Sequence, residues 1–125
     1  MARILVIEDN VANMKLASLL LRHADHGVLC AVDAEAGLTV ARKELPDLIL
    51  MDIQLPGMDG LAATAILKRD PITAAIPVVA LTAMAMKEDR EKSRRAGCDA
   101  YIAKPLDRRQ LYATIDALLG GRGAP

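Results

Sequence analysis

The stretch Leu48-Ile49-Leu50-Met51-Asp52 decides the fold that the sequence predicts. Its four consecutive apolar residues are typical of a strand that is covered on both faces, as the strands of parallel sheets are. A second apolar run, residues 4–7, is followed directly by Glu8 and Asp9. Because open α/β sheets bind ligands beyond the carboxyl ends of their strands, these three carboxylates predict a functional site at that edge.

Outward from these two runs, short apolar segments alternate with helical patterns, and we predict further strands over residues 27–31, 77–81 and 101–103. Two of the helices are expected to begin at the caps Asp33 and Asp107. Apolar residues at helical spacing predict the inward faces, which are Leu16, Leu19 and Leu20 in the first helix, Leu38, Ala41 and Leu45 in the second, Ala62, Ala65 and Ile66 in the third, and Leu111, Ile115, Leu118 and Leu119 in the last. Five strand–helix units in succession predict a parallel sheet with helices on both faces.

The composition is that of one domain, which we place at residues 1–120 of the 125. Gly120-Gly121 is expected to close the last helix, and residues 121–125 to form a flexible tail. Sixteen basic residues balance sixteen acidic ones, and the aromatic side chains are two Tyr. This composition argues against direct DNA or RNA binding, which uses basic patches and stacking platforms.

Neither the cysteines nor the histidines form a recognisable metal-binding pattern. Cys30 and Cys98 are far apart in the sequence, so we predict buried, reduced thiols. His23 and His26 are expected at the surface. Because the first apolar run is only four residues long and no run approaches the length of a membrane span, a cytoplasmic protein without a signal peptide or membrane contact is expected.

Polar residues follow four of the predicted strands: Glu8 and Asp9, Asp52, Thr82 and Lys104. A carboxylate such as Asp52 can attack a phosphoryl group and hold it as an acyl phosphate. Phosphoryl transfer needs mainly positioning and neutralisation of the phosphoryl oxygens. Mg²⁺ bound to the three acids, the Lys104 ammonium and the Thr82 hydroxyl can supply both. Taken singly, each of these residues also has an ordinary structural explanation, such as a helix cap for Asp52.

Five short motifs lie on the expected elements in this order: Glu8-Asp9-Asn10, residues 51–60 (MDIQLPGMDG), Leu81-Thr82-Ala83, Gly97-Cys98-Asp99 and Tyr101-Ile102-Ala103-Lys104-Pro105. With them the chain resembles, over essentially its whole length, the receiver domain of two-component response regulators. The resemblance implies a single-domain, flavodoxin-like (βα)5 three-layer sandwich whose five-stranded parallel sheet has the order 2-1-3-4-5.

The resemblance also implies roles for individual residues. Asp52 would accept a phosphoryl group from a histidine kinase or a histidine phosphotransfer protein, and the carbonyl of Gln54 would be a further Mg²⁺ ligand. Thr82 and Tyr101 would be the switch pair, with Thr82 turning toward the phosphoryl group and Tyr101 moving inward. The bond between Lys104 and Pro105 would be cis. The chain would then be a phospho-acceptor that catalyses only its own phosphorylation and dephosphorylation.

Two features distinguish this chain within the family that it resembles. Positions 54 and 84 vary and tune the loss of phosphate; Gln54 and Met84 are neither acids nor strong bases, so we expect a fairly long-lived phosphoryl group. The helical segment 87–95 is almost entirely charged and therefore has few apolar anchors. We expect it to form, with Tyr101 and residues 108–109, a face that changes when a protein partner is to be regulated.

Several alternatives stay open. The sequence has no helix-turn-helix region for DNA output, so the protein is either a stand-alone receiver or a module of a hybrid histidine kinase or multidomain regulator, and Met1 directly before the first strand favours a stand-alone or N-terminal receiver. A phosphohydrolase of the haloacid-dehalogenase type would need an acid at position 54, where Gln54 stands. A flavodoxin-like binding module would have a Ser/Thr/Gly-rich loop in place of Glu8-Asp9-Asn10.

Overall fold

The computed structural model describes residues 2–83 and 87–123, in which five strands alternate with five helices. The elements in chain order are β1 (Arg3–Ile7), α1 (Val11–His23), β2 (Gly27–Ala31), α2 (Ala34–Glu44), β3 (Leu48–Asp52), α3 (Gly60–Arg69), β4 (Val78–Thr82), α4 (Lys87–Ala96), β5 (Ala100–Ala103) and α5 (Arg108–Gly123). Each strand begins and ends within one residue of its predicted bounds.

The strands form one parallel sheet in the order β2-β1-β3-β4-β5, which confirms the predicted fold class. Because successive side chains of a strand point to opposite faces, Ile4 and Val6 join one apolar cluster and Leu5 and Ile7 join the other. The first cluster packs against α1 and α5, and the second against α2 and α3. β3 and β4 are buried along their whole length, as strands in the middle of a three-layer sandwich should be.

The inward face of α1 differs from the predicted one. Leu19 is 65% exposed and Leu16 is also exposed, whereas Leu20 packs partly against the core. Ala17 and Leu21 lie on the buried face instead. The prediction followed the large apolar residues, but a small residue at position 17 faces the sheet.

The third helix repeats this pattern, with Ala63 and Leu67 buried while Ile66 and Ala62 are exposed. In α2, Asp33 caps the helix as predicted and Ala41 is buried. Leu45 was expected to face inward but is 52% exposed; it lies just past α2 as the left-handed C-cap residue. Large apolar residues at helical spacing therefore identified these helices without identifying their inner faces.

The last two helices differ in how much of their surface they bury. α4 is charged, as predicted, and Ser93 is the one buried side chain among its ten residues. In α5, Leu111 and Ile115 are buried as predicted. This helix continues to Gly123, so the expectation that Gly120-Gly121 would close it is wrong; glycine in a helix interior costs only about 1 kcal/mol relative to alanine. Residues 124–125 of the expected tail lie outside the described residues.

The cysteines and histidines are only partly where the sequence placed them. Both cysteines are free, but Cys30 is exposed on the edge strand β2 rather than buried, and Cys98 is partly buried. His23 is exposed, and His26 is half-buried with its Nδ1 accepting a hydrogen bond from the amide of Ala2 at 3.1 Å. Within the described part of the chain, no helix has the length and apolar character needed to cross a membrane.

Candidate functional site

The carboxyl ends of β1, β3, β4 and β5 meet at one edge of the sheet and bring four predicted site residues together. Glu8 follows β1, Asp52 and Thr82 end β3 and β4, and Lys104 follows β5. Backbone hydrogen bonds continue past the strands here, since the amide of Lys104 donates to the carbonyl of Thr82 at 2.7 Å. Residues that are far apart in sequence are thus held side by side by the sheet.

Three carboxylates form a compact acidic cluster at this edge. One oxygen from each of Glu8, Asp9 and Asp52 lies within 4.8 Å of the other two. Glu8 and Asp52 are only 2% and 3% exposed, whereas Asp9 is exposed at the rim. Two buried acids so close together require a cation or a proton, because buried charges are costly unless they are paired.

Lys104 supplies one such cation. Its Nζ donates to Glu8 Oε1 at 2.6 Å and to Asp52 Oδ2 at 3.0 Å, and its side chain is only 15% exposed. Burial alone would lower the pKa of Lys104, but the bonds to the two carboxylates outweigh it and raise that pKa. The peptide bond between Lys104 and Pro105 is cis, as expected.

Backbone amides hold the remaining carboxylate oxygens. The amide of Asn10 donates to Glu8 Oε2 at 3.2 Å, and the amide of Gln54 donates to Asp52 Oδ1 at 2.9 Å. Every oxygen of the two buried acids therefore has a donor. These two amide contacts were not predicted, because they depend on loop conformations that follow the strands.

Burial perturbs the protonation of Glu8. Its pKa is raised above the ordinary value of 4.5, first by burial and then by the hydrogen bond to Asp52. Lys104 and the Asn10 amide offset part of this effect. Glu8 therefore takes up a proton more readily than an exposed glutamate does.

The loop after Asp52 is held tightly against the end of β3. Asp59 caps α3 by accepting a hydrogen bond from the amide of Ala62 at 2.8 Å, and Gly60 is the first residue of this helix. A Cβ on Gly60 would lie 2.2 Å from the carbonyl oxygen of Asp52 and 2.7 Å from the Cα of Ile53. Only glycine permits this approach, which the sequence pattern alone did not indicate.

Thr82 and Tyr101 lie on the same face of the neighbouring strands β4 and β5, two positions apart in register. Thr82 is fully buried, and Tyr101 is half-exposed on β5 with the guanidinium of Arg90 5.6 Å from its ring centre. The pKa of Tyr101 is raised, first by burial and then by Asp89, while Arg90 and the Thr82 side chain act in the opposite direction. The predicted switch pair therefore lies together on one face of the sheet, although the contact with Arg90 was not foreseen.

The donor set suits a hard divalent cation. Mg²⁺ is bound in proteins by one or two carboxylates, with waters completing its shell, and the cluster offers three carboxylates that include an exposed one. Glu8, Asp9 and Asp52 would hold the ion. Ligation by the Gln54 carbonyl stays a prediction, and Met84, expected to modulate the site, lies outside the described residues.

Comparisons with known proteins agree on one family. The sequence profile described as "Response regulator receiver domain" matches residues 4–116. The polar-differentiation response regulator DivK of Brucella anthropi is 44% identical over 117 residues, which are 94% of this chain and 95% of that protein.

Two solved structures share the fold closely. The receiver domain of sensor histidine kinase PA1611 from Pseudomonas aeruginosa, solved with a magnesium ion in its active-site cleft, is 34% identical with a TM-score of 0.89, covering 95% of this chain and 98% of that one. A CheY-like receiver domain protein from Methanospirillum hungatei is 30% identical with a TM-score of 0.89, covering 98% and 96%.

Proposed function

We propose that Asp52 accepts a phosphoryl group from a phosphohistidine protein in a Mg²⁺-dependent reaction, since the chain belongs to the family of response regulator receiver domains. The donor is a histidine kinase or a histidine phosphotransfer protein. The observation that carries the proposal is the setting of Asp52, a buried carboxylate at a strand end, beside two further acids and a lysine.

The reaction is a direct transfer between two proteins. A carboxylate oxygen of Asp52 attacks phosphorus, the bond from phosphorus to the imidazole nitrogen breaks, and the electron pair of that bond stays on the imidazole. The amide of Gln54 fixes one oxygen of Asp52, which limits the rotation of the nucleophile. Bound Mg²⁺ would supply positive charge for the phosphoryl oxygens and the carboxylates.

Two further side chains can receive the phosphoryl oxygens. Lys104 already lies 3.0 Å from Asp52 and carries a positive charge that its pKa keeps in place at neutral pH. Thr82 ends the neighbouring strand and has a hydroxyl that can donate. When Thr82 turns toward the phosphoryl group, it leaves its place beside Tyr101 on the neighbouring strand, and this change reports phosphorylation to β5.

The surface that changes is formed by α4, β5 and the start of α5. α4 buries only one side chain, so its attachment to the core is weak, and weakly held elements are those that move in switching. This surface contacts a downstream protein in our proposal. Backbone NMR shifts that change on phosphorylation everywhere except within residues 84–109 would rule this surface out.

Exposed apolar residues on α1 offer a docking surface for the donor. α1 begins at Val11, two residues after Asp9 of the acidic cluster. The exposed apolar residues of this helix are Val11, Leu16 and Leu19. A protein that delivers a phosphoryl group to Asp52 must cover the rim of the site, and α1 begins at that rim. Leu16 and Leu19, whose spacing predicted that they face the core, would therefore contact the donor instead.

The proposal also covers lifetime, catalysis and location. The side chain of Gln54 is exposed and is neither acid nor base, which supports a fairly long-lived phosphoryl group. The chain catalyses its own phosphorylation and dephosphorylation and turns over no separate substrate. Its output is contact with a protein rather than with DNA, and a cytoplasmic location is in keeping with two free cysteines.

The test is phosphorylation by acetyl phosphate with Mg²⁺, measured by intact-protein mass and by mobility in a phosphate-binding gel. Asp52→Asn should gain no mass, and chelation of Mg²⁺ should abolish the reaction of the unmodified chain. Asp59→Asn is the matched control, since it lies in the same loop and asparagine caps helices as well as aspartate does. A covalent phosphate that persists in Asp52→Asn would overturn the proposal.

A further inference from the structure

A cavity of about 550 Å³ lies between α4, β5 and α5, away from the acidic cluster. Its walls include Lys87, Arg90 and Arg94 from α4, with Tyr101 from β5 and Gln110 from α5. Small-molecule sites typically measure about 300–1,000 Å³, so the cavity is large enough for a ligand of that size.

The lining of the cavity carries three bases and two acids, and each of the two acids has a basic partner. Glu91 is 3.7 Å from Arg95, and Asp99 is 2.9 Å from Lys68. Arg95 and Lys68 do not line the cavity, so both acids have their basic partners outside it.

The three lining bases have no such partner. Within the described residues, no carboxylate lies within 4.0 Å of the side-chain nitrogens of Lys87, Arg90 or Arg94. They occupy positions i, i+3 and i+7 of α4, which place them on one side of the helix. An anion in the cavity would meet three unpaired cations, and arginine binds phosphate with two parallel hydrogen bonds.

The rest of the lining can recognise a planar base. The guanidinium of Arg90 lies over the ring of Tyr101, 5.6 Å from its centre, and a base would stack against this planar pair. The amide of Gln110 offers a donor and an acceptor, which can pair with the edge of a base. An acidic protein segment would use the bases but would have no need of this ring and amide.

We propose that this cavity binds a nucleotide with at least two phosphate charges, whose phosphates contact the α4 bases and whose base lies against Tyr101. Because Tyr101 lies beside Thr82 on the neighbouring strand, binding is coupled to the state of the site at Asp52. The coupling, but not the binding itself, rests on the proposed function.

Binding is tested by isothermal titration of the full chain with ADP, GDP, inorganic pyrophosphate and adenosine. We expect ADP or GDP to bind about tenfold more tightly than pyrophosphate or adenosine, because phosphate contacts and stacking both contribute. Lys87→Ala or Arg94→Ala should weaken binding about tenfold. Lys92→Ala, which removes the same charge from an exposed position of α4 outside the cavity, should leave it unchanged.

The result that would overturn the proposal is equal binding of pyrophosphate and nucleotide, or an equal effect of Lys87→Ala and Lys92→Ala. Binding of a glutamate-rich peptide without binding of either nucleotide would also overturn it, and would assign the cavity to a protein partner.

Coupling is tested separately by repeating the titration with Mg²⁺ and beryllofluoride, a phosphoryl mimic. We expect beryllofluoride to change the affinity for nucleotide. Nucleotide should change the affinity for beryllofluoride by the same factor, since linkage is reciprocal. Tyr101→Phe should keep the stacking surface and lose this factor. Unchanged nucleotide affinity in the unmodified chain refutes the coupling while leaving the site itself intact. Failure of beryllofluoride to bind at all refutes the proposed function instead.

Discussion

Replacement of Lys104 by methionine tests the electrostatic account of the site most directly. Lys104→Met keeps the length of the side chain and removes the cation that bonds Glu8 at 2.6 Å and Asp52 at 3.0 Å. The two buried acids are then left with amide donors only. Breaking a buried ion pair typically costs about 3–5 kcal/mol, because the remaining charge is uncompensated.

Protonation of Glu8 would lower the free-energy cost of the uncompensated charge. Starting from the ordinary pKa of 4.5, a proton on this acid costs about 3.4 kcal/mol at pH 7 and about 1.4 kcal/mol at pH 5.5, at 1.36 kcal/mol per pH unit. These values are upper limits on the electrostatic part of the decrease in the free energy of unfolding. The pKa of Glu8 in the folded variant lies above its unfolded value, so the loss grows as pH rises above 4.5 and disappears below it.

Urea denaturation of Lys104→Met at pH 7 and pH 5.5, with Mg²⁺ chelated, checks this expectation. The free energy of unfolding should fall by up to about 3.4 kcal/mol at pH 7 and by about 2 kcal/mol less at pH 5.5. Adding Mg²⁺ should stabilise the variant more than the unmodified chain, because the acids no longer have a competing cation. Lys92→Met, at an exposed position, should change stability by less than about 0.5 kcal/mol. An equal loss at both pH values would show that packing, and not charge, explains the effect.

Gly60→Ala should lower the free energy of unfolding by about 1–3 kcal/mol in urea and slow phosphorylation, because its Cβ would lie 2.2 Å from a backbone oxygen, whereas Gly120→Ala, with open space around it, should do neither. Equal effects of the two substitutions would contradict this reasoning. Mg²⁺ affinity, measured by titration calorimetry, should fall on acidification at a pH above the ordinary pKa of glutamate, because the raised pKa of Glu8 lets protons compete early; Glu8→Gln should bind weakly at every pH. A disulfide reagent should modify exposed Cys30 faster than Cys98, whose pKa is raised by burial, and the difference should vanish in denaturant.

The sheet was predictable because the apolar pattern of a strand depends on where that strand lies in the sheet. The central strands are buried on both faces, so they must be continuous apolar runs, and β3 and β4 are. The same topology brings the carboxyl ends together, which is why Glu8, Asp52 and Lys104 could be assigned to one site. Residues 8 and 104 are joined by a contact that spans 96 positions.

The helix faces and the fine geometry of the site were less predictable for a physical reason. Where a helix lies close to the sheet, small residues face inward, as Ala17 and Ala63 do, and size-based periodicity then selects the wrong side. The amide bonds to the buried acids and the close approach of Gly60 depend on loop conformation. No pattern of residue types encodes that conformation directly.

The small buried surface of α4 affects how the sequences of such proteins can diverge. Ser93, which bonds the Asp89 carbonyl of its own helix at 2.9 Å, is the one side chain that this ten-residue segment buries. Six of the other nine positions are exposed and three are half-buried, so substitutions at the exposed ones leave the interior untouched. Evolution or protein engineering can therefore change the sequence of this segment to select a new downstream protein, while the phosphorylation site at Asp52 stays the same.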